Sequence, residues 1–527
     1  MKEKLNLLVF DKNALVEYYT QHPEKIYPPT HIFPLIDPPP NIHYNEYKDW
    51  SPGSKLYKEH WLQPYIISQL ESMNIQHFPN QEENDFYDLL DKEINIRKFH
   101  SGNDVSNIHN ILKESLQNYN KTIIIIHRLH SYIISYEMWK TIKDCGATIC
   151  IDNSFEAESY SLHRLFYWLH STFEDTSFVK YLYCAHDTTG GMLVNGKKAR
   201  HQLIKECFGI DFVNIEFFML HELQGNKSTS DNDERRKLTF KHFDPDLIYK
   251  NNKPYKFLCL NNYMKEHRLF VINNMIQNNL LDKGIVSARF SFDKNKPFYN
   301  HSVYDFGSED GLKKLFNNKN FAIDQDEYEK LKDTLPLVVD DDLIDNKHAV
   351  NPDLFTTDTN ENYEFRDRWV KWEWYANTEF TIANESSCWP ELISQQGIFR
   401  QYNPEHSDEI YYKEAPQDVG FLTEKTFKPI MYGHPFILVT HPKALKHLRN
   451  LGFETFPEWF DENYDEIEEP DKRIKHINKE VIRLCNTELD INQIKEKLEH
   501  NRKLFFSIEN SINIFNKLFD DLLKRDK

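Results

Sequence analysis

No apolar run in this chain is long enough to cross a bilayer, which takes ~20 residues. The longest apolar concentration, residues 122–134, is interrupted by His127, Arg128 and His130, so no transmembrane segment is expected. The opening stretch up to Phe10 is also too short, and too soon followed by Asp11, to read as a secretory signal. Cysteine is sparse: seven residues, odd in number, scattered at positions 145, 150, 184, 207, 259, 388 and 485. With no CxxC pair and no His/Cys cluster, that spacing supplies neither a disulfide framework nor structural zinc, and the thiols read as reduced core residues of a cytoplasmic protein. Basic runs are missing too. Sixty-four Lys and Arg against 82 Asp and Glu leave a net charge of −18, and no basic aromatic stripe appears, which argues against a nucleic-acid surface. No internal repeat of convincing length is present.

What is there reads as globular. The 527 residues are 40% hydrophobic and 14% aromatic, enough for two or three domains with their own cores. Richness in Asn, Lys, Ile, Phe and Tyr is the bias of an AT-rich genome, bacterial or viral. Residues 1–60 open with an apolar strand and turn into a Pro- and aromatic-rich arm. Residues 61–245 alternate between strands (122–126, 147–151, 178–184, 213–219) and helices (131–144, 162–173, 198–208), the pattern of a parallel sheet covered by helices. The charged stretch 226–236 reads as a linker or mobile loop. A second α/β domain, 246–470, begins its strands near Tyr255. Within it the acidic run 461–469 reads as a surface loop. Over 471–527 the apolar residues Ile491, Ile494, Leu498, Phe505, Ile508, Ile512, Phe515 and Phe519 keep helical spacing and predict helices that pack back across the domains. The fold class is α/β, two Rossmann-like domains plus C-terminal helices.

Two segments carry chemistry. In the first, Thr423 can cap a short helix, Glu424 and Lys425 lie in its first turn, and Gly433 supplies a stop before the apolar run to Val439. Unpaired amides and the positive end of the dipole at such a start favour an anion, and Lys425 and Lys428 add full charges. The bland alternative is a solvated first turn. In the second, an apolar strand from Tyr255 to Leu260 leads through Asn261 to Arg268, where a helix with Leu269, Ile272, Ile276 and Leu280 on one face begins. The guanidinium fork of an Arg at that turn suits two phosphate oxygens; otherwise it is one more charge on an exposed first turn.

Upstream of the first segment, a strand ends in Asn384-Glu385-Ser386. The order of these pieces, Asn…Arg helix start, strand with Glu-Ser, Thr-Glu-Lys helix, and Gly433-His434-Pro435 leading a strand, resembles the donor-binding half of the alpha-(1,3)-fucosyltransferase family over residues 255–460. The interval between Ser386 and Phe421, with Tyr402, Tyr411 and Tyr412, is expanded here, so sugar specificity does not carry over. The resemblance implies a GT-B glycosyltransferase, its two domains facing a cleft, that transfers fucose or a related sugar with inversion from a nucleotide-diphosphate sugar, GDP-fucose or another GDP-sugar by analogy, to a glycan or other hydroxyl acceptor. It implies no metal cofactor. Asn261, Arg268, Glu385, Thr423, Glu424, Lys425 and Lys428 are the expected donor-binding residues, with Glu385 or Glu424 holding ribose or sugar hydroxyls. A general base is expected from the first domain, from Asp152 or Glu156 at one strand end or from Asp187 at another. Two rivals stand beside this reading. Asp340, Asp341 and Asp342 follow a strand as a metal site would, and the chain could be a carbohydrate-binding scaffold with a degenerate transferase fold.

Overall fold

The structure, a computed structural model, describes residues 2–10, 86–99, 107–118, 121–127, 136–154, 163–184, 186–187, 208–216, 245–302, 308–317, 322–339, 372–386, 419–420 and 422–524, with a few single positions besides. The arm, the 226–236 stretch, the loop tyrosines, Glu156 and Asp340 to Asp342 lie outside the described residues. Two compact units divide at 233–234.

The first unit is built on a six-stranded parallel sheet. In chain order its elements are β1 (Glu3–Phe10), α1 (Phe86–Leu89), β2 (Lys92–Phe99), α2 (Ile108–Asn118), β3 (Lys121–His127), α3 (Tyr136–Asp144), β4 (Thr148–Asn153), α4 (His163–Thr172), β5 (Val179–Tyr183), the two-residue β6 (His186–Asp187) and β7 (Asp211–Asn214). The strand order is β2-β1-β3-β4-β5-β7. A parallel strand covered on both faces reads as an unbroken branched apolar run, which is why Ile123 to Ile126 of β3 are buried and every residue of β4 is buried. Trp139 and Ile142 of α3 and Phe166 of α4 complete one core with Phe178 and Tyr181. The strand expected over 213–219 is shorter: β7 ends at Asn214, and positions 219–220 are helical.

The second unit contains α5 (Pro245–Ile248), β8 (Tyr255–Asn261), α6 (Glu266–Gln277), β9 (Gly284–Ala288), α7 (Glu309–Phe316), α8 (Gln325–Thr334), α9 (Trp372–Ala376), β10 (Thr378–Asn384), α10 (Glu424–Met431), β12 (Phe436–Val439), α11 (Ala444–Asn450), α12 (Pro470–Cys485) and α13 (Lys495–Phe505); β11 (Val419–Gly420) lies at the unit boundary. Its sheet is parallel with order β12-β10-β8-β9. The acidic run 461–469 is mostly exposed, but two of its residues turn inward. Glu462–Glu466 is a 3-10 turn in which Asp465, 2% exposed, accepts the Leu445 and Lys446 amides at 3.0 and 3.1 Å and so caps α11.

The last helix, α14 (Ile508–Leu523), belongs to the first unit. Its Phe515 packs edge-on to Phe86 at 5.8 Å, the Asn516 carbonyl oxygen accepts from the Asp91 amide at 3.0 Å, and Asp520 pairs with the buried Lys92. The expected C-terminal helical segment is thus divided, with α12 and α13 in the second unit.

Candidate functional site

In the second sheet β8 and β10 are neighbours although β9 falls between them in sequence. The chain leaves β8 in one direction and returns on the other side, which makes the carboxyl ends of these two strands the topological switch point of the sheet. That is where open α/β sheets bind ligands. Asn261 ends β8 and Asn384 ends β10, and both are 1% exposed. Asn384 Nδ2 donates to Asn261 Oδ1 at 3.1 Å, while Asn261 Nδ2 donates to the Ser287 carbonyl of β9 at 3.3 Å. A side-chain ladder therefore ties three strand ends together, and Asn261 is a rung of it.

Helix α6 opens beside this ladder. Arg268, 4% exposed, donates from Nη1 to the Tyr263 carbonyl at 2.7 Å and from Nη2 to the Glu385 carbonyl at 3.0 Å. His267 Nε2 donates to the same Glu385 carbonyl at 2.9 Å. Because a carbonyl only accepts, that nitrogen carries the proton, and burial together with the Arg268 charge holds the ring neutral, its pKa well below the ordinary histidine value. The guanidinium is thus fixed by backbone oxygens; burial lowers its pKa, and the nearby Glu385 and Glu424 carboxylates act in the opposite direction.

Helix α10 brings the third group. Thr423 is its N-cap, as its side-chain acceptance of the Lys425 amide at 3.4 Å shows. The anion at this helix start is the chain's own. Glu385, 0% exposed, accepts from Thr423 N at 2.9 Å, from Thr423 Oγ1 at 2.6 Å, from Ser386 N at 3.2 Å and from Thr426 Oγ1. Thr426 N is spent on Thr423 O at 3.0 Å. With these donors and acceptors filled internally, the Thr423 and Thr426 amides do not face a ligand, and Glu385 acts as the clamp that joins β10 to α10. The positive charge available at this helix start resides on side chains. Lys425 Nζ lies 2.6 Å from Glu424 Oε1 and also reaches Thr423 Oγ1 at 3.2 Å and Ser386 Oγ at 3.4 Å. Glu424 is 31% exposed. Burial alone would raise its pKa, but Lys425 and Lys428 override that and hold it well below the ordinary carboxylate range.

His441, just past β12, was not among the residues singled out from sequence. It is 2% exposed, and burial, with Arg473 and Lys265 nearby, lowers its pKa to about 3. Arg268 Nε, Asn384 Oδ1 and His441 Nε2 are buried without a hydrogen-bond partner among the described residues. Nothing in the local pattern around His441 marks it, since its environment is assembled by β12, α6 and α12.

The candidates in the first unit are less complete. Asp152 is 0% exposed, and its Oδ1 accepts from Ser154 N at 2.9 Å and Ser154 Oγ at 2.6 Å. Beside it Asn153, also 0% exposed, has neither amide atom partnered among the described residues. Asp187 lies in β6, with its side chain outside the described residues. No group of three metal-ligating side chains and no helix long and apolar enough to cross a membrane occurs among the described residues. Comparison of this chain with protein families, curated proteins and solved structures gives no match.

Proposed function

We propose that this chain is a glycosyltransferase that holds a nucleoside-diphosphate sugar at the switch point of its second sheet. The observation that carries the reading is Arg268, a nearly buried guanidinium held by two carbonyl oxygens, one of them that of Glu385, whose neighbour Ser386 is reached by Lys425. Such a preset cation suits a diphosphate, each charge-assisted contact contributing about 1.5–3 kcal/mol. Two parallel α/β units are compatible with the GT-B architecture that the sequence resemblance implies. In the proposed reaction the acceptor hydroxyl oxygen bonds to the anomeric carbon as the bond from that carbon to the diphosphate oxygen breaks. The nucleoside diphosphate leaves with the electron pair, Arg268 and Lys425 offset its growing charge, and a general base takes the acceptor proton. Glu424 is the carboxylate placed to accept from donor hydroxyls, since Glu385 is already saturated.

The saturation of Glu385 also favours a second reading, a non-catalytic binding protein, because the helix start no longer needs a ligand anion. Two measurements separate them. Release of nucleoside diphosphate from a panel of donors supports the enzyme, and no release from any donor supports the binding protein. Calorimetric titration of GDP and UDP into Lys425→Ala and Lys443→Ala tests the site itself. Lys443 caps α11 and lies 4.0 Å from Glu468, so its loss should leave affinity intact. Loss of Lys425 should weaken binding about 10- to 150-fold. Equal affinities for wild type and Lys425→Ala would remove the donor-site assignment.

A further inference from the structure

Helix α6 begins without the kind of side chain that caps most helices. Its N-cap is Lys265, extended at φ −126° and ψ 162° and making no capping hydrogen bond, because an ammonium group has donors and no acceptor. The first turn is held instead by its second and third residues, which reach out of the helix to the neighbouring strand. His267 Nε2 donates to the Glu385 carbonyl at 2.9 Å, and Arg268 Nη2 donates to the same oxygen at 3.0 Å. Glu385 follows the last residue of β10, and its own amide donates to Val439 O of β12 at 3.0 Å. Two donors from adjacent helix residues therefore meet on one carbonyl that the sheet holds in place, and they fill both of its lone pairs.

The two bonds differ in what they fix. Arg268 is a long side chain with much rotamer freedom to lose, so its guanidinium stays between the Tyr263 and Glu385 carbonyls only while the helix start keeps both within reach. His267 is a rigid ring on two rotatable bonds, 2% exposed, and its bond sets the spacing between the start of α6 and the end of β10. Burial keeps that ring neutral, and the charges of Arg268 and Lys265 and the nearby His441 act in the same direction. A neutral donor anchors the turn without placing a second positive charge against the guanidinium.

We infer that His267 is a positioning residue: it ties the first turn of α6 to the end of β10 and so holds the Arg268 guanidinium where the leaving diphosphate is to meet it. The consequence for binding rests on the donor-site reading above, whereas the anchoring of Arg268 is a property of the chain without ligand. Loss of the ring's donor leaves an uncapped first turn whose remaining side-chain tie is Arg268 itself, and a guanidinium that must also hold its own helix start is less well placed for a diphosphate.

His267→Gln and His267→Met test this, since the glutamine amide can donate near the position of Nε2 while methionine has similar length and no donor. In calorimetric titration of inorganic pyrophosphate, His267→Met should bind about 2- to 12-fold more weakly than wild type, and His267→Gln should restore most of the loss. In an Arg268→Met background, His267→Met should have no further effect, because a residue that acts through the guanidinium then has nothing to act on. Ile276→Val, which lowers the melting temperature from the far end of the same helix, should bind pyrophosphate as wild type does. An equal loss in His267→Gln and His267→Met, or the full loss repeated in Arg268→Met, would overturn the role. A second readout needs no ligand: phenylglyoxal should modify Arg268, followed by peptide mass mapping, faster in His267→Met than in wild type or His267→Gln, and equal rates would overturn the anchoring. Wild type that binds no pyrophosphate would remove the donor site on which the consequence rests, and the phenylglyoxal rates would still decide whether His267 anchors Arg268.

Discussion

Glu385 shows how a single carboxylate can join a strand to the helix that follows it. It takes four hydrogen bonds from Thr423, Thr426 and the following amide, and its carbonyl takes two more from His267 and Arg268. In Glu385→Gln an NH₂ group replaces one accepting oxygen and faces donors, which should cost about 1–3 kcal/mol. A lowered urea midpoint with nucleotide affinity less affected is the expected outcome; affinity lost with stability intact would give Glu385 a direct ligand role. His441 supplies a pH dependence. Its folded pKa of about 3 lies below the ordinary 6.5, so the unfolded chain binds the proton more readily. The stability of the neutral ring is complete above pH 6.5 and is lost as pH falls toward 3. Melting temperatures between about pH 7.5 and 4.5 should drop more steeply for wild type than for His441→Gln, and parallel curves would refute this linkage.

Helix α10 has both ends fixed. Its start is the Thr423 and Glu385 arrangement, and its end is a Schellman motif in which His434 N reaches Pro429 O at 2.9 Å and Gly433 N reaches Ile430 O at 3.0 Å. Gly433 has φ +62°, and an added Cβ would stand 2.8 Å from Tyr249 Oη. Gly433→Ala should therefore lose at least the ~1–2 kcal/mol of left-handed backbone strain, seen as a lower melting temperature and weaker nucleotide binding, because Lys425 rides on this helix. Helix α11 depends on a remote cap. Asp465→Ala removes the acceptor of the Leu445 and Lys446 amides and should cost ~1–2 kcal/mol in denaturant titration; no change would mean that the amides find another acceptor.

At the scale of the molecule, the C-terminal helix α14 completes the first unit. Phe515, Leu518, Phe519 and Leu522 are each 2% exposed or less. Truncation before Ile508 should expose that face and make the sheet of the first unit the first region cleaved in limited proteolysis, with the second unit's pattern unchanged. In the proposed transfer Arg268 and Lys425 take the place of a divalent ion, so on that reading activity should persist in excess EDTA. Loss in EDTA with recovery in manganese would point to Asp340, Asp341 and Asp342 instead.

The strands and helices with strong periodicity were legible in the residues alone. Four isoleucines in β3, the Thr423 cap and the Gly433 stop act through the backbone within a few positions, and local preference is what a linear sequence displays. The gathering of Arg268, Glu385 and Lys425 at one sheet edge was expected only through the order of their motifs. Which donor meets which acceptor there was decided by the fold. Glu385 reaches Thr423 across 38 positions and His267 meets the Glu385 carbonyl across 118, so no window of sequence could show that the helix start is already capped by a carboxylate. The same holds for Asp465, which reads as one acid in a charged run until the sheet brings α11 over it, and for α14, whose apolar stripe specifies a buried face but not the unit that buries it. Spacing sets the local conformation; the tertiary structure assigns the partners, because burial makes every unpaired polar group costly and the chain satisfies it with whatever the fold brings near.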